Sequence, residues 1–293
     1  MSSAPRHFSI GVIDVSLGSD CKSLLREYSS LYSSCRRGSA APGAIEINIE
    51  SKHKYPWPRG PYTLRCPGAP DFEVAKRCEV LPHLEWYINW QIIERRTEYV
   101  QLHASALEFE GQAMVMPGDP GSGKTTLTAG LLRRGWSYLC DEFALIDPVT
   151  SQVQPYPRAL CIKEGSFSVI ERLGIPLCRK TSYQKPTKGR VAFLNPLDVR
   201  ADVVGNAAPV RWVVFPRYVP DATPTLRPIS RSQAVYDLAK QCFTIRVDQK
   251  RTLQCLAPIV RGAECYQLVT NDIDATCDLV EALRVPRVAR RAG

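Results

Sequence analysis

Residues 112–134 read QAMVMPGDPGSGKTTLTAGLLRR: an apolar segment, a glycine-rich loop and an amphipathic segment, in that order. From Gly118 to Thr125 the chain matches the pattern G-x-x-x-x-G-K-[S/T] at every fixed position. The apolar segment predicts a strand, and the segment that begins at Lys124 predicts a helix that stops at Gly135. This strand–loop–helix context is the one in which the pattern wraps a chain of phosphates.

The residue types of the loop indicate how it would hold a nucleotide. Its glycines let the backbone direct N–H groups at a phosphate, and the start of the helix adds its positive end. We expect Lys124 to reach the outer phosphates and Thr125 to bind Mg²⁺, whereas Pro120 supplies no N–H donor. The predicted contacts with ATP are Gly118, Asp119, Pro120, Gly121, Ser122, Gly123, Lys124, Thr125 and Thr126.

The rest of the chain predicts an α/β fold with two domains. The expected strands cover residues 8–15, 45–49, 99–109, 112–116, 136–140, 211–215 and 265–269. The expected helices cover residues 24–32, 84–96, 124–134, 235–242 and 271–283. Ser19 and Asp20 are candidate caps of the first helix. We therefore expect a smaller α+β domain over residues 1–97, with an accessory or substrate-recognition role, and a P-loop core over residues 98–293.

Two adjacent acids, Asp141 and Glu142, follow the strand that comes after the loop helix. Asp141 lies 17 positions after Lys124. A helix of roughly ten residues spans about 15 Å, so a return along a neighbouring parallel strand would bring Asp141 back to the edge that holds the phosphates. One acid could then bind metal while the other accepts a proton, although Asp141 as the cap of a following turn stays open.

Composition and missing motifs narrow the function. The net charge is +9 and the pI is near 9.0, and part of the excess lies in the terminal Arg284, Arg287, Arg290 and Arg291. Neither zinc-finger spacing nor an RNP aromatic motif occurs, so we do not expect nucleic-acid binding. No NKxD motif occurs, and the acid pair lies closer to the loop than in motor ATPases. Both points disfavour a GTPase and a motor.

The sequence also favours a cytoplasmic protein. The 11 cysteines are scattered without a ligand or redox spacing, which is typical of reduced thiols. No run of about 18 apolar residues predicts a membrane span, and the first residues do not match a secretion signal.

Four segments resemble a known family. They are QLHASAL with His103, GDPGSGKTT, LCDEF with Asp141, and RALCIKEGSF. Together they resemble HPr kinase/phosphorylase and, more closely, the HprK-related kinase A group; the likeness covers about residues 101–167. His103 lies 21 positions before Lys124, which is similar to the spacing in the parent family. The resemblance implies a P-loop core of HPr-kinase type.

The resemblance also implies roles for individual residues. Asp141 would be the catalytic base for a serine hydroxyl, with Lys124 and His103 as the other catalytic residues. Thr125, Glu142 and Asp141 would hold Mg²⁺. The glycine-rich signature of the family's reverse reaction is replaced here by residues 158–164, so we expect kinase activity and leave open whether a phosphorylase activity accompanies it. The parent kinase is a hexamer, which leaves a homo-oligomer as one option.

Five further residues are candidate contacts for the substrate or its phosphate. Lys188 and Arg190 lie in a segment with three cations around a proline and a glycine, which suits a loop that closes over phosphate but equally a plain solvated loop. Arg217 follows a predicted strand. The full set is Lys163, Glu164, Lys188, Arg190 and Arg217.

Three functions fit this pattern. The leading hypothesis is an ATP- and Mg²⁺-dependent kinase that phosphorylates a serine or threonine hydroxyl of a small protein or peptide; the peptide comes from the resemblance alone. A kinase for a small-molecule alcohol, such as an amino acid or sugar, is the second. A nucleotide-dependent binding or assembly switch without phosphate transfer is the third.

Overall fold

A computed structural model describes residues 3–53, 59–177, 183–185, 189–246 and 248–284. The strands are β1 Ser3–Ile10, β2 Ile13–Ser19, β3 Arg36–Arg37, β4 Ile45–His53, β5 Arg59–Arg65, β6 Phe72–Val74, β7 Val100–Leu102, β8 Ala104–Phe109, β9 Gln112–Pro117, β10 Ser137–Cys140, β11 Ala144–Ile146, β12 Gln152–Gln154, β13 Leu160–Lys163, β14 Tyr183–Lys185, β15 Gly189–Leu194, β16 Ala208–Tyr218, β17 Thr225–Pro228 and β18 Glu264–Thr270. The helices are α1 Lys22–Leu31, α2 Arg77–Arg95, α3 Lys124–Arg133, α4 Phe167–Arg172, α5 Arg231–Lys240, α6 Gln249–Gly262 and α7 Ile273–Glu281.

The chain is a mixed α/β protein with several sheets, and it divides into two compact units. The first unit consists of Met1–Thr97, Tyr156–Phe167 and Pro176–Pro196. The second consists of Glu98–Pro155, Ser168–Ile175 and Leu197–Gly293. The sequence analysis assigned all residues after 97 to one domain. In the structure, the described residues of 156–167 and 176–196 instead belong to the first unit, where β13, β15 and β14 form a three-stranded sheet.

The first unit contains a six-stranded sheet in the order β3-β1-β2-β4-β5-β6. Strands β2 and β4 run parallel, and the other neighbours are antiparallel. The sequence predicted one strand over residues 8–15. The chain instead turns at Gly11, whose φ of 63° is left-handed, so β1 and β2 form a hairpin.

The predicted caps of α1 bind the neighbouring strand instead. Ser19 Oγ donates to the carbonyl oxygen of Ile49, and the Asp20 carboxylate accepts from the backbone N–H of Ser51. The residue at the N-cap position is Cys21, and no side-chain hydrogen bond caps this helix. The cap prediction was therefore wrong, because both polar side chains are used to tie β4 to the end of β2.

The second unit contains a nine-stranded sheet built around β16. Its path runs β10-β8-β9-β16-β12-β11-β7, and β18 pairs with β16 and β17. Strands β9, β16 and β18 are parallel, which confirms buried strands over 211–215 and 265–269. The segment 99–109 is two strands rather than one. It breaks at His103, and β7 pairs with β11 while β8 pairs with β9 and β10.

Strand β10 lies one position further from the loop strand than the sequence predicted. Strand β8 stands between β9 and β10 and is antiparallel to both, so β10 runs in the same direction as β9 without pairing with it. The carboxyl ends of β9, β10, β16 and β18 consequently meet at one edge of the sheet. In open α/β sheets this edge is where ligands bind.

Helix α3 begins and ends as predicted, and Gly135 follows it in the left-handed conformation with φ of 94°. Helix α6 was missed. Its buried residues Thr252, Leu256, Ile259 and Val260 follow helical spacing, but an internal proline obscured the pattern. Within the described residues, no helix is both long and apolar enough to cross a bilayer.

A buried ion pair attaches the segment after residue 155 to the first unit. Arg158 and Glu85 are both fully buried, and Arg158 Nη2 donates to Glu85 Oε2 over 2.6 Å. The hydroxyl of Tyr32 donates to the same carboxylate over 2.9 Å and accepts from the backbone N–H of Ala159 over 3.3 Å. A charge buried at this depth is tolerated only with such partners.

We expect Arg158→Met to lower the free energy of unfolding by about 3–5 kcal/mol, because it leaves the Glu85 charge buried without its cation. The double variant Arg158→Met/Glu85→Leu should recover part of this loss. Urea unfolding at pH 7 measures both. The matched control is Arg190→Met, which breaks the exposed pair between Arg190 and Glu164 and should cost about 0–1 kcal/mol. Equal losses at the two arginines would contradict the prediction.

Candidate functional site

The loop between β9 and α3 has a backbone that its glycines make accessible. Gly121 and Gly123 have φ of 97° and 94°, in the region that side chains disfavour, and Gly123 is the N-cap residue of α3. A Cβ on Gly123 would also come within 3.2 Å of Thr270 Cγ2. The first turn of the ten-residue helix α3 therefore directs its N–H groups and its positive dipole end toward the loop.

The charge of Lys124 lies against the loop. The side chain is 5% exposed, and its Nζ donates to the carbonyl oxygens of Gly118 and, over 3.0 Å, of Asp119. Within the described residues, the buried Ser122 Oγ has no hydrogen-bond partner. The exposed members of the loop are Asp119, Pro120 and Gly121, while Thr126 is half-buried on the first turn of α3. The positive charge is thus in place for an anion at the loop.

Asp141 lies at the end of β10 and contacts the start of α3. Its side chain is buried, and its two oxygens accept hydrogen bonds from two hydroxyls. Thr125 Oγ1 donates to Oδ2 over 3.0 Å, and Ser105 Oγ donates to Oδ1. The structure therefore brings Asp141 to the residue that follows Lys124. The hydroxyl partners come from β8 and α3 rather than from a turn that the carboxylate would cap.

The surroundings of Asp141 favour a proton on it. Burial raises the pKa of this carboxyl, and the nearby charge of Glu142 raises it further. The hydrogen bond from Ser105, the charge of Lys124 and the hydrogen bond from Thr125 oppose that rise without cancelling it. Glu142 itself has a φ of 64°, an uncommon conformation for a residue with a side chain. Strained residues of this kind concentrate at functional sites.

His103 lies between β7 and β8, next to the loop. Its carbonyl oxygen accepts from the backbone N–H of Gly118 over 3.4 Å. Its ring lies 3.3 Å from Gln241 Oε1 through Nδ1 and packs near Phe243. Gln241 in turn donates through Nε2 to Asp119 Oδ1 over 2.9 Å. The histidine is therefore attached to the loop through Gln241, and its catalytic role stays a prediction.

The candidate substrate contacts are divided between the two units. Arg217 is exposed near the carboxyl end of β16, in the second unit. Lys163 and Glu164 lie at the end of β13 in the first unit, where Arg190 Nη1 lies 3.3 Å from Glu164 Oε1. Lys188 lies outside the described residues. The substrate roles of these residues stay predictions.

The residues around Asp141 fit a magnesium ion bound together with phosphates. Mg²⁺ usually takes one or two carboxylates and a hydroxyl from the protein and fills its other positions with water and substrate oxygens. Thr125, Asp141 and Glu142 offer this set. Within the part of the chain that the structure describes, no three His, Cys, Asp or Glu side chains cluster, so no cage built only of protein groups occurs there.

Two residues of the site were missed from the sequence. Ser105 is a buried hydroxyl in an apolar strand, and Gln241 lies at the end of α5. Ser105 could have been identified from its place in an apolar strand, because a polar residue at a buried position needs a hydrogen-bond partner. Gln241 carried no comparable signal.

Comparisons with known proteins add little. No protein-family model matches the chain, and no curated protein matches it. Among solved structures, the Hpr(Ser) kinase/phosphatase from Coxiella burnetii is a distant neighbour, with a TM-score of 0.32 and 14% sequence identity over 66% of this chain and 99% of that one. At that TM-score the likeness carries no argument about the site. Membership of the HprK-related kinase A group stays a prediction.

The raised pKa of Asp141 predicts how this residue affects stability. The stability that it contributes is fully present below the unfolded-state pKa of about 3.9 and is lost as the pH rises through the folded-state pKa. Asp141→Asn removes this loss. We expect the variant to unfold at a higher urea concentration than the wild type at pH 7. The difference between the two urea midpoints should shrink as the pH falls toward 4. Unfolding curves in EDTA without nucleotide measure this. The control Asp202→Asn changes an exposed carboxylate, and a gap independent of pH would contradict the prediction.

Proposed function

We propose that this chain is an ATP- and Mg²⁺-dependent kinase that transfers the γ-phosphoryl group to a serine or threonine hydroxyl of a small protein or peptide. The observation that carries the proposal is the 3.0 Å hydrogen bond between Thr125 and Asp141. It brings a buried carboxylate to the first turn of the helix whose N-terminus follows the phosphate-binding pattern. A carboxylate there can accept a proton from an acceptor while the loop holds the donor.

Binding would use the groups already directed at the loop. The N–H groups at the start of α3 and the Lys124 ammonium would take the β- and γ-phosphate oxygens, with Lys124 exchanging its loop carbonyls for phosphate. Thr125, Asp141 and Glu142 would hold Mg²⁺, which neutralises charge on the phosphates when it is bound. Gln241 would hold the loop in position through its hydrogen bond to Asp119, and His103 through its hydrogen bond with the backbone of Gly118.

The transfer step needs a base and a fixed geometry. The acceptor oxygen attacks the γ-phosphorus, an O–P bond forms, and the bond to the oxygen that bridges the β- and γ-phosphates breaks. ADP leaves with that electron pair, and the hydroxyl proton goes to Asp141. Asp141 is the base in this proposal because it is the carboxylate that is hydrogen-bonded to the first turn of the loop helix.

The acceptor is assigned by resemblance to the serine kinases named above. We assign acceptor recognition to residues 1–97 and catalysis to the P-loop kinase domain that begins at residue 98. Lys163, Glu164 and Arg190 remain candidate acceptor contacts. A small-molecule alcohol is the alternative acceptor, and both would use the same base.

Asp141→Asn tests the base. We expect ATP affinity to change by less than about threefold, while the rate of phosphate transfer falls by about 10²- to 10⁴-fold, because an amide cannot accept the proton. Transfer from γ-labelled ATP to candidate peptides encoded beside the gene measures the rate, and calorimetry measures binding. Asp202→Asn is the matched control and should retain activity. An unchanged transfer rate in Asp141→Asn would withdraw the proposal.

Lys124→Ala tests the loop by itself. Removing the ammonium should weaken ATP binding by about tenfold or more, because it removes the charge nearest the outer phosphates. Equilibrium binding of ATP with Mg²⁺ measures it, with the exposed Lys240→Ala as the control. If Lys124→Ala binds ATP as tightly as the wild type does, the nucleotide does not bind at this loop. A wild-type chain that binds ATP, phosphorylates no acceptor and binds a partner according to its nucleotide would instead be a switch.

A further inference from the structure

Tyr218 is a large aromatic residue left exposed at the edge of the sheet where the loop lies. It is the last residue of β16, and 49% of its surface is exposed, whereas Phe215 on the same strand is 7% exposed. The other exposed tyrosine of the second unit, Tyr236, carries the Lys240 ammonium 4.0 Å above its ring. In the described part of the chain, no ring contact or hydrogen bond is made by the Tyr218 side chain.

Tyr218 stands next to the loop glycine that starts α3. Its Cβ lies 3.9 Å from the point that a Cβ on Gly123 would occupy, and Cγ2 of Thr270, its partner in β18, lies 3.2 Å from that point. Asp141 follows β10, which lies on the other side of β9 from β16, and it contacts this helix start through Thr125. The loop is thus bordered by acid and hydroxyl groups on the β10 side and by an exposed aromatic ring on the β16 side.

This asymmetry gives a bound nucleotide a direction. In the proposed function, the γ-phosphate must face Asp141, because that carboxylate takes the proton of the acceptor. A nucleoside that extends away from the acids would reach the ends of β16 and β18. A base has two apolar faces, and an aromatic side chain at that place can stack on one of them.

We propose that Tyr218 is the platform on which the base of the bound nucleotide stacks, and this proposal rests on the proposed function. Stacking uses the π-face of the base rather than its hydrogen-bonding edge. Tyr218 therefore distinguishes a nucleotide from a bare triphosphate, and a purine stacks better than a smaller pyrimidine because it covers more of the ring.

The test compares ATP with inorganic tripolyphosphate, which has the charge but no base. Calorimetry with Mg²⁺ is run on the wild type, Tyr218→Ala, Tyr218→Phe and the matched control Tyr236→Ala. We expect Tyr218→Ala to weaken ATP binding by about 5- to 100-fold and to leave tripolyphosphate binding unchanged. Tyr218→Phe keeps the ring and should retain ATP binding within about twofold. Tyr236→Ala should bind both probes as the wild type does.

The outcomes separate the two proposals. Unchanged ATP binding in Tyr218→Ala, or an equal loss for ATP and tripolyphosphate, overturns the stacking role and leaves the P-loop assignment standing. A wild-type chain that binds neither probe overturns both. If Tyr218→Ala does not fold, Tyr218→Leu keeps the apolar bulk without the π-system, and ATP binding equal to the wild type in that variant overturns stacking.

Discussion

The carboxylate of Asp141 is the group on which the arrangement of the site depends. It is buried, and it needs hydrogen-bond partners in either protonation state. A buried carboxyl without partners would cost several kcal/mol of folding free energy. Ser105 on β8 and Thr125 on α3 meet that need from two different elements. The three side chains thereby join the end of β10, the strand beside the loop strand and the first turn of the loop helix.

Burial, rather than these hydrogen bonds, raises the pKa of Asp141, and it makes the folded protein less stable near neutral pH. Functional sites commonly carry such a cost, which the rest of the fold offsets. The left-handed backbone at Glu142 is a second cost at the same place.

Strand β16 organises the other side of the loop. It pairs in parallel with β9 and β18 and ends at Arg217 and Tyr218, beside the helix start. A triphosphate on the loop would therefore lie between an acidic flank and an aromatic flank. In the first unit, the buried pair of Arg158 and Glu85 has a different role, since it fixes a later segment of chain onto α2. That contact explains why a segment that continues the core in sequence belongs to another unit in space.

The sequence by itself determined the local parts of this protein. Glycines at 121 and 123, the lysine after them and an amphipathic segment up to Gly135 are enough to predict the loop, the helix and its end, because backbone freedom and helical periodicity are properties of neighbouring residues. The 17-residue spacing also placed Asp141 at the correct edge of the sheet, even though β8 unexpectedly separates β10 from β9.

Only the tertiary structure decided which distant polar side chains pair with one another. Ser105 and Asp141 are 36 residues apart, Glu85 and Arg158 are 73 apart, and His103 and Gln241 are 138 apart. The exposure of Tyr218 beside Gly123 likewise depends on the parallel pairing of β9 with β16. Strand order and the need to pair buried polar groups determine these neighbours. Neither of these two factors produces a periodic pattern in the sequence.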